Sequence, residues 1–230
     1  MKLGVGFHLR YHPGHQKVRQ LLAGKVLGTV SLVHAQWAMG TRGRTGAPPR
    51  SGASLWWDDP QMIGGASTLM GTGVHLMDQL YFLLGQPIIE VAAITDGQTD
   101  RQPLEQLAVV SLQLADGTIG SITCGRRMPD TVNDAIIYGS HGRICLKETL
   151  WEAQGGTLEV TSETQDLTES YEADRLAMYQ AQTEAFNRAV EQDEPFHASG
   201  EHGVRVTRVT RVTQAIIESA RTGRTVKVAY

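Results

Sequence analysis

His75 is the residue whose type and setting most favour acid–base chemistry. It lies in an otherwise apolar stretch with helical spacing, residues 69–84, which follows Gly64-Gly65 and a loop bearing Trp56 and Trp57. An imidazole titrates near neutral pH, so His75 could exchange a proton with a substrate hydroxyl. A histidine satisfied within the core is the alternative. Asp78 lies one turn on and is a candidate for orienting the imidazole and contacting substrate, with solvation at the helix end as the alternative.

Other chemical patterns in the sequence are incomplete. His12 and His15 could hold a metal, but no third ligand lies nearby, and a surface pair capping a helix is favoured. The segment Gly4-Val5-Gly6 begins a dinucleotide pattern, yet Leu9 occupies the third glycine position and no acidic residue occurs before Asp58. Neither a GxSxG motif nor a cysteine beside a histidine is present, which argues against nucleophilic hydrolysis.

Composition excludes several further classes of protein. The 230 residues are 41% hydrophobic and carry a formal net charge of -3, so no overall basic field favours nucleic acid or an anionic membrane. Arginines recur in a threefold Arg-Val-Thr repeat, which favours a solvated helix face, with a subunit contact as the alternative: Arg205, Arg208 and Arg211. Cys124 and Cys145 lack CxxC spacing and are predicted to be buried free thiols. No signal peptide or membrane span is recognised, so we expect a cytoplasmic protein.

The elements that must position these residues form an α+β pattern. The sequence predicts helices over residues 12–22, 69–84, 175–192 and 200–222, and strands over residues 3–8, 27–38, 88–95, 107–114, 118–128, 135–138, 143–147, 157–161 and 225–229. Asp116-Gly117 predicts a hairpin turn. Antiparallel strands with helices at the two ends of the sequence predict one two-layer domain, residues 1–230. Strand 107–114 is apolar on both faces, which predicts a sheet covered by helices on one side and by a partner subunit on the other.

Several segments resemble a known family. The stretch GASTLMGTGVHLMDQLYFLLG, residues 65–85, is similar to the central helix of the C-terminal domain in the Gfo/Idh/MocA oxidoreductases. The opening VGFHLRYHP resembles the segment where those proteins leave their Rossmann domain, and YGSHG at residues 138–142 resembles their mid-sheet turn. The tail segment SGEHG, residues 199–203, also occurs in the family's usual order.

This resemblance implies an open, mostly antiparallel sheet with helices on one face, entered through a crossover segment at residues 1–25. It implies that substrate binds between this domain and a preceding Rossmann domain that holds NAD or NADP. That domain, and the family's E-K-P lysine, have no counterpart here, so the chain is either a fragment or paired with a separate nucleotide-binding chain. The family's catalytic histidine falls on His75, and its aspartate four residues earlier falls on Gly71.

The expected activity is an NAD(P)-dependent oxidation of a hydroxyl, or reduction of a carbonyl, on a sugar, polyol or related molecule. The alternative, favoured by Gly71 and the absent lysine, is a non-catalytic ligand-binding or oligomerisation module, and the isolated chain is not expected to be active. Tryptophan faces suit pyranose rings, so a sugar-sized pocket walled by aromatic residues is predicted, with core or loop packing as the alternative for each: Trp37, Trp56 and Trp57. By the same resemblance Arg10 is expected to line the interdomain cleft, while Arg126 or Arg127 reaches substrate from the sheet.

Overall fold

A nine-stranded sheet organises the chain, in a computed structural model that describes residues 2–44, 50–194, 196 and 200–230, of which 200–208 as backbone only. The strands are β1 Val30–Ala38, β2 Ile88–Thr95, β3 Leu107–Leu114, β4 Ile119–Gly125, β5 Ala135–Gly139, β6 Gly142–Lys147, β7 Gln154–Ser162, β8 Asp166–Asp174 and β9 Val226–Lys227. Their order across the sheet is β8-β7-β6-β5-β1-β4-β3-β2-β9. The sheet is open and mostly antiparallel, as predicted.

One pair of strands departs from the antiparallel pattern. β1 runs parallel to β4, with Trp37 opposite Cys124 and Ala38 opposite Gly125. The carboxyl ends of both strands therefore lie side by side at the same end of the sheet. The residues that follow them enter neighbouring loops there, which makes these loops a natural place for a site.

The helices are α1 Pro13–Ala23, α2 Val74–Leu84, α3 Ala177–Glu191 and α4 Gly200–Thr222. A π-helical turn, Leu69–Gly73, leads directly into α2, and Gly85 ends it in a left-handed conformation with φ +71°. The apolar side of α2 is buried in the main core, through Leu76, Met77 and Leu80. The chain is thus an α+β fold, as the sequence predicts.

Two strand predictions are wrong, for different physical reasons. Residues 3–8 form no regular strand, and a 3-10 helix, His8–Tyr11, follows them with all four side chains buried. A short run buried on every side resembles a strand in sequence. Conversely β8 was not predicted, because its sequence DLTESYEAD is acidic and polar. It is an edge strand paired only with β7 in the sheet order, and charged side chains are common on such edges.

The face of the sheet away from the core remains apolar and open. Ile94 pairs across to Val109, and the two are 80% and 47% exposed. Ile119 and Tyr138 are exposed in a second row on the same face. The prediction that both faces are covered is therefore not met within the described part of this chain, and coverage by a partner stays a prediction.

The remaining sequence predictions concern the thiols, the hairpin and membranes. Both cysteines are buried and free, as predicted. The turn at Asp116-Gly117 joins β3 to β4, and the Asp116 carboxylate accepts the Thr118 amide. Over the described ranges, none of the helices combines the length and apolar character that crossing a membrane requires.

Candidate functional site

The start of the helix that carries His75 is held by a buried carboxylate. Glu105, just before β3, is fully buried and accepts the amides of Ser67 at 2.9 Å and Leu69 at 2.8 Å, and the side-chain amide of Gln98 at 2.9 Å. Burial raises the pKa of Glu105, while these hydrogen bonds oppose the rise. Sequence reasoning missed Glu105, since its one signal is an acidic residue directly before an apolar strand.

The π-helical turn then brings the helix close to the sheet. A Cβ atom placed on Gly73 would lie 3.4 Å from the Cys124 sulfur, so the turn packs directly on β4. π-helical turns are frequent at functional sites, because they change the direction of the side chains that follow. His75 comes two residues after this turn, as the second residue of α2.

His75 belongs to an aromatic cluster that joins four elements. Its ring centroid lies 5.3 Å from that of His8, 5.4 Å from Trp37 and 6.0 Å from Phe7. His8 in turn stacks on Tyr179 of α3 at 4.8 Å. The 3-10 helix, β1, α2 and α3 thus converge on one group of rings, near the carboxyl end of β1. We call these five residues the aromatic cluster.

Three ring nitrogens in the aromatic cluster are buried without a hydrogen-bond partner among the described residues. They are Nδ1 of His75, Nε2 of His8 and Nε1 of Trp37. Buried polar atoms are bonded in the great majority of cases, and exceptions need an explanation. A small polar molecule that brings its own donors and acceptors would supply the partners. Sequence reasoning did not select His8, because residues 3–8 are predicted to form a strand.

Burial disfavours the charged form of both histidines. Burial, and to a smaller extent electrostatic repulsion from His8, lowers the pKa of His75 from 6.5 to about 4. The pKa of His8 is lowered by burial, against a hydrogen bond to the Trp151 backbone. A neutral imidazole can accept a proton, so His75 is in the protonation state that a general base needs.

Arg126 lies beside the same end of the helix. It follows the carboxyl end of β4, and its Nη2 atom would be 3.0 Å from a Cβ atom placed on Gly71. Its Nε atom is buried and has no hydrogen-bond partner in the described ranges. Burial and then Arg50 lower the pKa of Arg126, while Asp58 and Glu105 raise it.

Residues 50–58, which carry Trp56 and Trp57, lie near Arg126, because Arg50 is close enough to lower the pKa of Arg126 and also contacts Trp57. Arg50 bonds Asp58 at 3.2 Å, and its guanidinium carbon lies 5.1 Å from the centre of the Trp57 ring. Trp56 and Trp57 stand in a short 3-10 helix, Gly52–Asp58, where a loop was predicted. Their rings are 4.5 Å apart, and Trp56 is 42% exposed. Both remain candidates for substrate contact. The Trp37 ring is 2% exposed and packs in the core, which leaves its Nε1 atom as its candidate contact.

Other predicted site residues have different surroundings. Arg10 and Asp78 form a buried bidentate ion pair, with Arg10 Nε 2.8 Å from Asp78 Oδ2. Asp78 therefore makes no hydrogen bond to His75, and its predicted solvation at the helix end is also wrong. Arg10 is 3% exposed, so its predicted place in the cleft lining is replaced by a role in fixing α2. Arg127 is exposed and bonds Asp96 at 2.7 Å, which leaves Arg126 as the arginine near the site.

His12 and His15 are a correction of a different kind, because both are fully buried instead of lying at the surface. His12 accepts the Gly14 amide and so caps α1, as predicted. His15 bonds the Leu9 carbonyl at 2.8 Å and the Thr149 hydroxyl at 3.0 Å. Within the described residues, histidine, cysteine and acidic side chains do not come together in a group of three or more that could hold a metal ion.

Comparison with known proteins agrees with this architecture. The family described as GFO/IDH/MocA C-terminal domain matches residues 15–145, more than half of the chain. Inositol 2-dehydrogenase 2 of Paenarthrobacter aurescens is 28% identical over 122 residues, which is 52% of this chain and 32% of that protein.

Solved structures match over almost the whole chain. Aldose-aldose oxidoreductase from Caulobacter crescentus, complexed with glycerol, is 19% identical with a TM-score of 0.79, covering 98% of this chain and 64% of its own. An inositol dehydrogenase homologue from Azotobacter vinelandii, complexed with NAD+, is 19% identical with a TM-score of 0.73, covering 98% of this chain and 65% of its own. The chain thus spans about a third of the curated relative and about two thirds of these solved chains. It belongs to the Gfo/Idh/MocA family of oxidoreductases and carries that family's C-terminal domain.

Proposed function

We propose that this chain is the substrate-side domain of an NAD(P)-dependent oxidoreductase that acts on a hydroxyl or carbonyl of a sugar, polyol or related small molecule. The observation that carries the proposal is the buried, unpartnered Nδ1 atom of His75, on an imidazole whose pKa is lowered to about 4. The similarity to an inositol 2-dehydrogenase supports the substrate class.

The aromatic cluster offers the groups that alcohol oxidation needs. In that reaction a hydride leaves the substrate carbon for the nicotinamide when it is bound, and the hydroxyl proton must go to a base. His75 takes that proton at Nδ1 and returns it in the reverse direction. Trp37 can donate from Nε1, and His8 can donate or accept at Nε2, so both can orient neighbouring hydroxyls. We therefore expect these three nitrogens to bind hydroxyls of a polyhydroxylated substrate.

Gly4, near the N-terminus, offers the pyrophosphate of the cofactor no comparable site. A Cβ atom on Gly4 would lie 2.9 Å from the Phe196 ring and 3.0 Å from the Phe186 ring. This glycine therefore admits close packing of aromatic rings, in place of the open backbone that phosphate requires. We expect NAD or NADP to be held mainly by a nucleotide-binding domain outside these residues, as the share of the relatives' length that the chain spans also suggests.

A non-catalytic ligand-binding or oligomerisation module remains the second candidate, favoured by Gly71 in place of the family's aspartate. The open apolar face, with Ile94 and Val109 exposed, supports assembly of copies of this chain in either case. Homo-oligomerisation through that face is thus a separate proposal from the chemistry.

The deciding experiment restores a nucleotide-binding domain, fused or supplied in trans, and follows reduced nicotinamide during incubation with a panel of polyols and sugars. His75→Ala should lower kcat/KM by about a hundredfold or more, the usual contribution of general acid–base catalysis. His34→Ala is the matched control, since His34 is exposed on the open face and bonds Ser121. Equal turnover by the His75→Ala variant would remove His75 from the mechanism and favour the second candidate.

A further inference from the structure

Arg126 is a half-buried cation without an ion pair among the described residues. Its guanidinium makes neither a hydrogen bond nor a salt bridge there, and its Nε atom is inaccessible to solvent. Withdrawing a charged group from water, even in part, is costly unless the charge is paired. This guanidinium is therefore a candidate binding group for an anion that the described residues do not supply.

The nearby carboxylates are engaged elsewhere. Asp58 pairs with Arg50 at 3.2 Å. Glu105 directs its oxygens to the amides of Ser67 and Leu69 and to Gln98. Arg50 adds a second positive charge on the same side. Burial and Arg50 together lower the pKa of Arg126, which agrees with a guanidinium lacking an anion in contact.

Gly71 lies directly beside the Arg126 guanidinium. A Cβ atom there would lie 3.0 Å from Nη2, tighter than an ordinary contact, so a larger residue would shift the guanidinium by a few tenths of an ångström or pair with it. Gly71 precedes His75 by four residues, so Arg126 lies beside the π-helical turn that leads into the helix bearing His75.

We propose that Arg126 binds a carboxylate of the substrate, which makes the preferred substrate a polyhydroxy acid, such as an aldonate or uronate, in place of a neutral sugar. The planar guanidinium matches a planar carboxylate with two parallel hydrogen bonds. The inference rests on the proposed function, because the reacting hydroxyl is placed at His75.

The test compares two ligands that differ at one end, D-gluconate and D-glucitol, titrated into the full chain by calorimetry. Gluconate should bind about tenfold to a hundredfold more tightly, the range for a charge-assisted pair. Arg126→Gln should remove that difference, and Arg126→Lys should keep part of it, with thermal unfolding checking that both variants fold. Arg127→Gln is the control, since Arg127 is exposed and bonds Asp96, and it should leave both affinities unchanged.

Gly71→Asp gives a second, independent variant. A carboxylate on that residue should pair with Arg126 and reduce gluconate binding to the level of glucitol. Equal affinity for the two ligands, no saturable binding of gluconate, an unchanged preference in Arg126→Gln, or tighter binding of D-glucose 6-phosphate than of gluconate would each overturn the carboxylate assignment.

The two proposals can fail separately. Arg126-dependent binding of gluconate, with no turnover of any ligand by the two-domain protein, refutes the dehydrogenase activity alone. Turnover of neutral polyols through His75, with no preference for gluconate, refutes the carboxylate site alone.

Discussion

His75 should make the stability of the chain depend on pH, and this can be measured without any substrate. Its pKa is lowered from 6.5 to about 4 in the folded protein, so the folded state binds fewer protons than the unfolded state between those values. The free energy of unfolding therefore falls as the pH drops below about 6.5, and this contribution levels off below about 4. The linkage relation gives a loss of about 2 kcal/mol between pH 7 and pH 5 from His75 alone.

The assay is urea denaturation of the whole chain at pH 7 and pH 5, followed by circular dichroism. Other buried groups titrate too, so the informative quantity is the difference between variants. His75→Asn should reduce the stability lost between the two pH values by about 2 kcal/mol. The same loss in wild type and His75→Asn would refute the depressed pKa and, with it, a neutral base formed by burial. An NMR titration of the His75 ring gives the pKa directly.

Three further outcomes follow from the described contacts. Glu105→Ala leaves two amides and the Gln98 side chain without their acceptor and should lower the free energy of unfolding by about 3–5 kcal/mol, with Glu105→Gln costing less, as urea denaturation would show. Asp78→Ala removes the carboxylate that pairs with Arg10 and should lower the free energy of unfolding by about 3–5 kcal/mol. The double change Arg10→Met with Asp78→Leu should recover most of that loss in the same measurement. Val109→Lys on the open face should shift the sedimenting species towards the monomer if copies of this chain meet there, and an unchanged mass would place the contact elsewhere.

Much of the architecture could be predicted from the sequence, because its signals are local. The helix around His75 follows from apolar spacing that ends at Gly85, and the hairpin between β3 and β4 follows from Asp116-Gly117. The segment before α1 could not be predicted, since burial of every side chain in His8–Tyr11 depends on packing against α2 and α3.

The site was predictable only in part, because its contacts join distant segments. The type of His75 and its helix drew attention to it, but His8 enters the aromatic cluster through tertiary packing alone. Asp78 looked like a partner for His75 one turn away, yet Arg10, 68 residues earlier in the chain, takes both of its oxygens. The proximity of Gly71 to Arg126 has no signal in either local sequence.

The π-helical turn before α2 contains one more residue than an α-helix would need to join the same two fixed points. Glu105 fixes the amides at Ser67 and Leu69, and the core fixes α2 through Leu76. Removing one residue from Leu69–Gly73 would restore α-helical hydrogen bonding but rotate one end against the other by about 100°. Either His75 would turn out of the aromatic cluster or the start of the helix would leave Glu105. The length of this turn therefore sets the rotation of His75 about the helix axis relative to the amides held by Glu105. A one-residue deletion here should separate effects on folding from effects on function more sharply than a substitution.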